Sequence, residues 1–266
     1  MAVHKRWITL ILSALFSGCL IMYHPMETGA AFKINRFYYE KKGEVVWDLP
    51  SERKEVAITF DDGPNPAYTN EILDTLKKYD AKATFFLVGR NVARHPAIVK
   101  REVAEGHELG NHTYTHPYRL PPSAYKKEID ATEKLIEQYQ KNQVKLFRPP
   151  GGTLNKPIIN YTIKKGYKIL LWSWHQDPRD WMHPSASSIA THVVSHVRNG
   201  DVILLHDAGG NRQETVKAVK MILPILKKKG YKFVTVSQLM MKHERFASLF
   251  KQDPDLEPFR IFNEIR

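Results

Sequence analysis

The chain has 266 residues, 42% hydrophobic and 26% charged, with a formal net charge of +12. That length and apolar content allow one substantial core, and a single cysteine, Cys19, excludes an intrachain disulfide. The basic excess favours polyanions such as anionic lipid or an acidic cell wall, but Lys and Arg are spread along the chain, as in "KKEIDATEK" and "KKKG". That spread argues against a nucleic-acid-binding arm.

In chain order, His4, Lys5 and Arg6 precede an almost uninterrupted apolar run at 7–22, followed by the more polar "YHPMETGAA". This is the order of a secretory signal. The run is short for a membrane span, which takes roughly 20 residues. "ETGAA" supplies small residues for cleavage, an uncleaved anchor is the alternative, and "FSGC" resembles a lipoprotein box ending at Cys19, with Phe16 where Leu is usual. Residues 1–30 are therefore expected to be a signal peptide or membrane anchor, and the protein to work outside the cytoplasm, secreted or anchored. Residues 31–54 read as a linker and a hairpin-like lead-in, "FYYEKKGEVVWDL".

Strand-like runs then recur at 56–60, 83–88, 107–112, 145–148, 168–174, 201–206 and 232–236. Several are rich in Val, Ile and Phe, as buried parallel strands are. Helical patterns lie between them. "AYTNEILDTLKKYD" puts Ile72, Leu73, Leu76 and Tyr79 on one face. "SAYKKEIDATEKLIEQYQKN" reads as capped by Ser123, and "SASSIATHVVSHVRNG" and "ETVKAVKMILPILKKKG" run to Gly200 and Gly230. Strands alternating with helices predict an α/β fold, a distorted or incomplete (β/α) barrel of about seven parallel strands. No linker divides it, so 55–240 is expected to form one catalytic domain, with 241–266 a short helix and tail.

Active sites of such barrels form at the carboxyl ends of the strands. Those ends carry Asp61 and Asp62, then His112 and His116, then Arg148 in "RPPGG", then Asp177, Asp180 and Trp181, then His206 and Asp207 in "LLHD". One polar strand end is routine, but five aimed at one rim need a functional reason. His112 and His116 are four apart, so one helical turn would put both imidazoles on the same side. Two imidazoles and a carboxylate can hold a divalent transition ion and leave positions open for water and substrate. One aspartate of the pair can ligate it while its neighbour, turned the other way, stays free as a base, the ion offsetting their repulsion. His95, His107, His175, His183, His192, His196 and His243 read as solvated or core histidines.

"TFDDGP", HxxxH within "NHTYTHP", "RPP", "DPRDW" and "LLHD" occur in the order and spacing of the polysaccharide deacetylases, the NodB-homology carbohydrate esterases. The chain resembles that family over roughly 55–240. The resemblance implies metal-dependent removal of N-acetyl or O-acetyl groups from polysaccharides. It implies Asp61 as general base, Asp62, His112 and His116 as metal ligands, and His206 as general acid. Arg148 would orient Asp61, Asp180 would hold His206, and Trp181 and Leu204 would wall the acetyl pocket. The expected ion is zinc, with cobalt, nickel or manganese as alternatives. Where the family usually has an aromatic after "RPP", this chain has Gly151, which keeps a backbone N–H for the oxyanion but loses an aromatic wall. The expected substrate is peptidoglycan or N-acetylglucosamine oligomers, taken by a monomer whose basic surface suits an anionic wall or membrane. The rival readings are an O-acetyl esterase of acetylxylan-like polymers, a metal-dependent phosphoesterase and a non-catalytic wall-binding homologue.

Overall fold

Short buried strands alternate with amphipathic helices through residues 35–141 and 144–246, the part of the chain described by the computed structural model. The apolar segment 7–22, Cys19 and the tail from 247 onward lie outside the described residues. Among the described residues, no helix is long and apolar enough to cross a membrane.

The strands are β1 (Val45–Val46), β2 (Glu55–Asp61), β3 (Ala83–Leu87), β4 (Glu108–Asn111), β5 (Leu146–Phe147), β6 (Lys168–Leu170), β7 (Val202–His206) and β8 (Lys232–Phe233). Seven form a parallel path in the order β1-β6-β5-β4-β3-β2-β7, and β8 pairs with the start of β2. The helices are α1 (Arg36–Lys41), α2 (Thr69–Lys78), α3 (Gly89–Arg94), α4 (Pro96–Ala104), α5 (Pro122–Ile136), α6 (Lys156–Lys164), α7 (Ala186–His196), α8 (Gln213–Lys228) and α9 (Val236–Met241). This is the incomplete barrel that the strand–helix rhythm predicts.

Three local expectations are corrected. The hairpin-like lead-in is instead helix α1 followed by β1, which joins the sheet parallel to β6 through Val45–Ile169 and Val46–Leu170. Two consecutive valines satisfy any buried strand, so the sequence pattern did not specify the partner. Ser123 does not cap α5; it sits inside the first turn, because Pro122 with its preset φ starts the helix. Gly200 does not stop α7, which ends four residues earlier. Its left-handed φ of +83° lets it pass so close to Leu49 that a β-carbon would stand 1.8 Å from the Leu49 carbonyl oxygen. Leu49 N–H donates to Gly200 O at 3.0 Å in return.

The expected strand at 168–174 also ends early, at Leu170. Beyond it the chain runs irregularly beside β7, with Ser173 N–H donating to Val202 O and Leu204 N–H to Gln176 O, each 3.0 Å. That segment closes the gap between the sheet edges.

Side chains alternate across each strand. Val56, Ile58 and Phe60 of β2 pack outward on Ile72, Leu73 and Leu76 of α2 and on Val219, Ile222 and Leu223 of α8. Ala57 points into the barrel with Phe86, Leu146, Leu170 and Val202. Helix α9 closes the amino end of the barrel. Its start is fastened by a Thr235–Gln238 capping box, and its Ser237 N–H, together with Thr84 Oγ1, donates to the buried Glu108 carboxylate.

Glu102 of α4 is buried completely, with neither carboxylate oxygen hydrogen-bonded. Burial, reinforced by Asp207, pushes its pKa well above the usual carboxylate range. The folded state thus favours the protonated carboxyl more than the unfolded chain does, which penalises folding as pH rises above the ordinary glutamate pKa. Replacing it as Glu102→Met is expected to raise unfolding free energy by about 1–3 kcal/mol at pH 7. Urea denaturation should show the gain shrinking as pH falls toward roughly 4.3, below which the unfolded carboxylate is protonated too and the ionisation penalty is gone.

Candidate active site

Parallel register delivers the polar strand ends to one level. Asp61 lies opposite His206 across β2 and β7 and opposite Phe86 across β2 and β3, while Asn111, one residue before His112, pairs with Phe147, one before Arg148. The ends converge on a cleft of about 470 Å³ lined by Asp61, Asp62, His112, His116, Leu204 and His206 among others.

Asp61 and Asp62 diverge because their backbones differ. Asp61 still belongs to β2 and points into the barrel, whereas Asp62 adopts a left-handed φ of 76° and turns toward the histidines. The unusual turn is held by Asn91 Nδ2 donating to Asp62 O at 2.8 Å and by Val88 N–H donating to Gly63 O at 3.0 Å.

Arg148 is fully buried and spans the barrel interior. Nη1 donates to Asp61 Oδ1 at 2.6 Å and to Thr59 Oγ1 at 2.8 Å; Nε and Nη2 donate to the carbonyls of Leu170 and Leu171. The guanidinium carbon lies 4.1 Å from the centre of the Phe86 ring. Burial lowers the Arg148 pKa and Asp61 opposes that shift.

His112 and His116 do share one side, but not through a helical turn. They lie on a loop with left-handed residues at Thr113 and His116, and their ring centres are 4.9 Å apart. The loop backbone is tied down where a helix would have supplied its own bonds. Glu128 accepts Tyr114 N–H and Thr115 N–H, and Gly89 N–H and Arg90 N–H donate to the carbonyls of Thr113 and Tyr114.

Asp62, His112 and His116 offer ligand atoms all within 4.8 Å of one another, which fits a single small cation. His112 Nδ1 lies 2.7 Å from Arg148 O, so Nδ1 carries the proton and Nε2 presents a lone pair to the group. Burial holds the His112 pKa down to about 3, keeping the ring in its ligating form. Asp62 Oδ1 is buried with no hydrogen-bond donor, and His116 Nε2 stands 3.1 Å from it. An orphaned carboxylate oxygen between two imidazoles is the donor set for a divalent ion.

On the opposite strand edge, Asp180 braces His206. Its Oδ1 lies 2.7 Å from His206 Nδ1, and its Oδ2 accepts His206 N–H and Thr215 Oγ1–H, each at 2.8 Å. Burial alone would lower the His206 pKa; the Asp180 charge and hydrogen bond, with Asp61 and Asp62 behind them, lift it to about 9. Burial likewise works against the Asp180 charge, but His206 and Thr215 hold its pKa below the usual range.

Trp181 is half exposed and lines the cleft, so it is not a core aromatic, and Leu204 and Gly151 line it too. Asp177 does both things its position before Pro178 allows: Oδ1 accepts Arg179 N–H in a turn, and the residue borders the cleft. Asp207, predicted at the rim, is withdrawn from it. Its side chain is buried against Gly63 and accepts the Thr69 hydroxyl, and burial pushes its pKa up to about 7. Tyr118, Trp172 and Arg212 line the cleft without having been singled out from the sequence. None ends a recognisable strand with an unusual polar group, so convergence of strand ends had no purchase on them. His107 is a core histidine whose Nδ1 accepts Ala83 N–H.

In the metal-free protein, the His206 ring is expected to titrate near 9, and Asp180→Asn to bring it toward the ordinary 6.5. Imidazole chemical shifts followed from pH 5 to 10 check this, and an unshifted titration would show that Asp180 only packs there.

The polysaccharide deacetylase family profile matches residues 48–170. A peptidoglycan-N-acetylglucosamine deacetylase of Bacillus cereus is 50% identical over 203 residues, covering 76% of this chain and 95% of its own. A solved peptidoglycan N-acetylglucosamine deacetylase, in complex with 4-naphthalen-1-yl-N-oxidanyl-benzamide, superposes with a TM-score of 0.72 at 37% identity, over 77% of this chain and 97% of its own. A CE4-family pseudoenzyme from Bacillus anthracis also superposes, with a TM-score of 0.66 at 28% identity, over 73% of this chain and 68% of its own. With these relatives and this arrangement of strand ends, the chain belongs to the polysaccharide deacetylase family.

Proposed function

We propose that this enzyme removes N-acetyl groups from a cell-wall polysaccharide, with N-acetylglucosamine residues of peptidoglycan as substrate. One observation carries the reading: a possible metal-binding group, a buried carboxylate clamped by arginine and a carboxylate-braced histidine border one cleft. The names of the relatives support the substrate class. Asp62, His112 and His116 would hold a divalent ion, zinc by the chemistry of its ligands, and when bound it supplies Lewis acidity for an amide carbonyl and the attacking water.

Asp61 takes the proton of the water that attacks the acetamide carbon. Arg148 aims that carboxylate, since one Oδ is held by the guanidinium at 2.6 Å and the other is left for the water. The His206 imidazolium gives its proton to the sugar nitrogen as the carbon–nitrogen bond breaks. Asp180 keeps that proton in place near neutral pH. The Gly151 N–H is assigned to the developing oxyanion, and Trp181 and Leu204 to the walls around the acetyl methyl group.

A non-catalytic wall binder has no use for a separated base and acid, and the intact pair disfavours that reading. An O-acetyl esterase would share the machinery, so amide against ester substrates decides between the two. The basic composition and the signal-like segment at 7–22 support work outside the cytoplasm, against an anionic wall.

Purified enzyme is expected to carry about one divalent ion per chain and to release acetate from peptidoglycan. Asp61→Asn should keep the ion and lower kcat by about 10²–10⁴-fold. Asp62→Ala should lose both ion and activity. Elemental analysis with acetate assays on each variant checks this; metal loss in Asp61→Asn with retention in Asp62→Ala would reverse the roles.

The pH profile gives a second test. Activity needs His206 protonated, so kcat falls as pH rises through its pKa. Asp180→Asn lowers that pKa and should move the alkaline limb to lower pH, with metal content unchanged. An alkaline limb that stays in place would remove His206–Asp180 as the acid.

A further inference from the structure

The loop after the histidine pair carries an aromatic ring that neither the acid–base chemistry nor the metal-binding group uses. Tyr118 is 63% exposed, yet it lines the same cleft as His116 and His206. Its ring centre lies 4.9 Å from that of His116, with the two planes at 89°. A β-carbon added to Gly151 would stand 3.2 Å from the same ring. The ring is therefore seated on two supports, an imidazole and a bare stretch of backbone. Its own backbone is anchored beside it, where the Tyr125 hydroxyl donates to Pro117 O at 2.8 Å.

A tyrosine kept for stability buries its ring, whereas this one is pinned at its edges and leaves most of its surface to the cleft. Gly151 explains how the ring fits. With a left-handed φ of +60° and no side chain, it leaves open the space that Tyr118 covers. A bulky side chain at 151 and the ring in this position exclude one another. Tyr118, from a different loop, thus lies over the position after "RPP" that has no side chain.

We infer that Tyr118 is a sugar-binding wall of the cleft. Its ring takes the C–H face of a pyranose next to the unit being deacetylated, and so favours oligosaccharide chains over small acetyl compounds. Pyranose rings present an apolar face, and a tyrosine offers a large, rigid contact surface with only two rotatable bonds to immobilise. The inference rests on the deacetylase reading above and names the part of the substrate that this residue reads.

The test compares wild type, Tyr118→Ala and Tyr118→Phe on an N-acetylglucosamine tetramer and on 4-nitrophenyl acetate, with metal content measured in each. For Tyr118→Ala, the ratio of kcat/KM on the tetramer to that on the aryl acetate should fall about tenfold, chiefly through KM, with the ion retained. Tyr118→Phe keeps the ring and should restore the ratio to within about twofold. An equal loss on both substrates, or loss of the ion, would overturn the inference by showing that Tyr118 serves His116. An unchanged ratio would overturn it by showing that the ring meets no sugar. A wild-type enzyme that cleaves the aryl acetate but releases nothing from the tetramer or from peptidoglycan would sink the deacetylase reading itself, and this inference with it.

Discussion

A single buried ion pair organises this active site. Arg148, wholly inside the barrel, joins the end of β5 to Asp61 at the end of β2 and to the carbonyls of Leu170 and Leu171 where β6 ends. A guanidinium out of water is tolerated only when its donors are satisfied and its charge is balanced. Here Thr59, Asp61, Leu170 and Leu171 satisfy them, and the Phe86 ring lies against the guanidinium. The same pair fixes the Asp61 carboxylate in place. The carbonyl of Arg148 also faces His112 Nδ1, so one residue orders both the carboxylate and a histidine of the metal-binding group.

Around that pair the protein separates charges that would otherwise cancel or repel. Asp61 looks inward to a cation, Asp62 turns away through a left-handed backbone, and His206 is kept positive by Asp180 on the far side. Each carboxylate therefore has its own partner: Arg148, the two imidazoles, and His206. Such division of environment gives chemically similar carboxylates different surroundings within one cleft. The presence of a pseudoenzyme among the structural relatives shows that this fold alone does not make a catalyst.

Much of this was legible in the sequence. Runs of Val, Ile and Phe alternating with helical patterns gave the barrel, and polar residues at the ends of those runs gave Asp61, Asp62, His112, His116, Arg148 and His206. The reason is local. A strand end is marked by where its apolar run stops, and the parallel order carries every such end to one rim. Whether the polar side chain then reaches the cleft is not local, as Asp207 shows: it follows His206 directly yet turns into the wall beneath Gly63.

What the sequence determined by itself, then, was the alternation of parallel strands with helices and the chemical types at the strand ends, because hydrophobic periodicity and turn residues act over a few neighbours. Tertiary structure decided what depends on approach between distant segments. It turned the expected helical His-x-x-x-His into a loop held by Glu128, Gly89 and Arg90. It paired β1 with β6 rather than in a hairpin, and set Gly200 against Leu49 rather than at a helix end. It also brought Tyr118 over Gly151, 33 positions away in the chain, where a missing side chain in one loop leaves room for a ring from another. No short pattern encodes that contact, since each residue becomes intelligible only once the other is beside it.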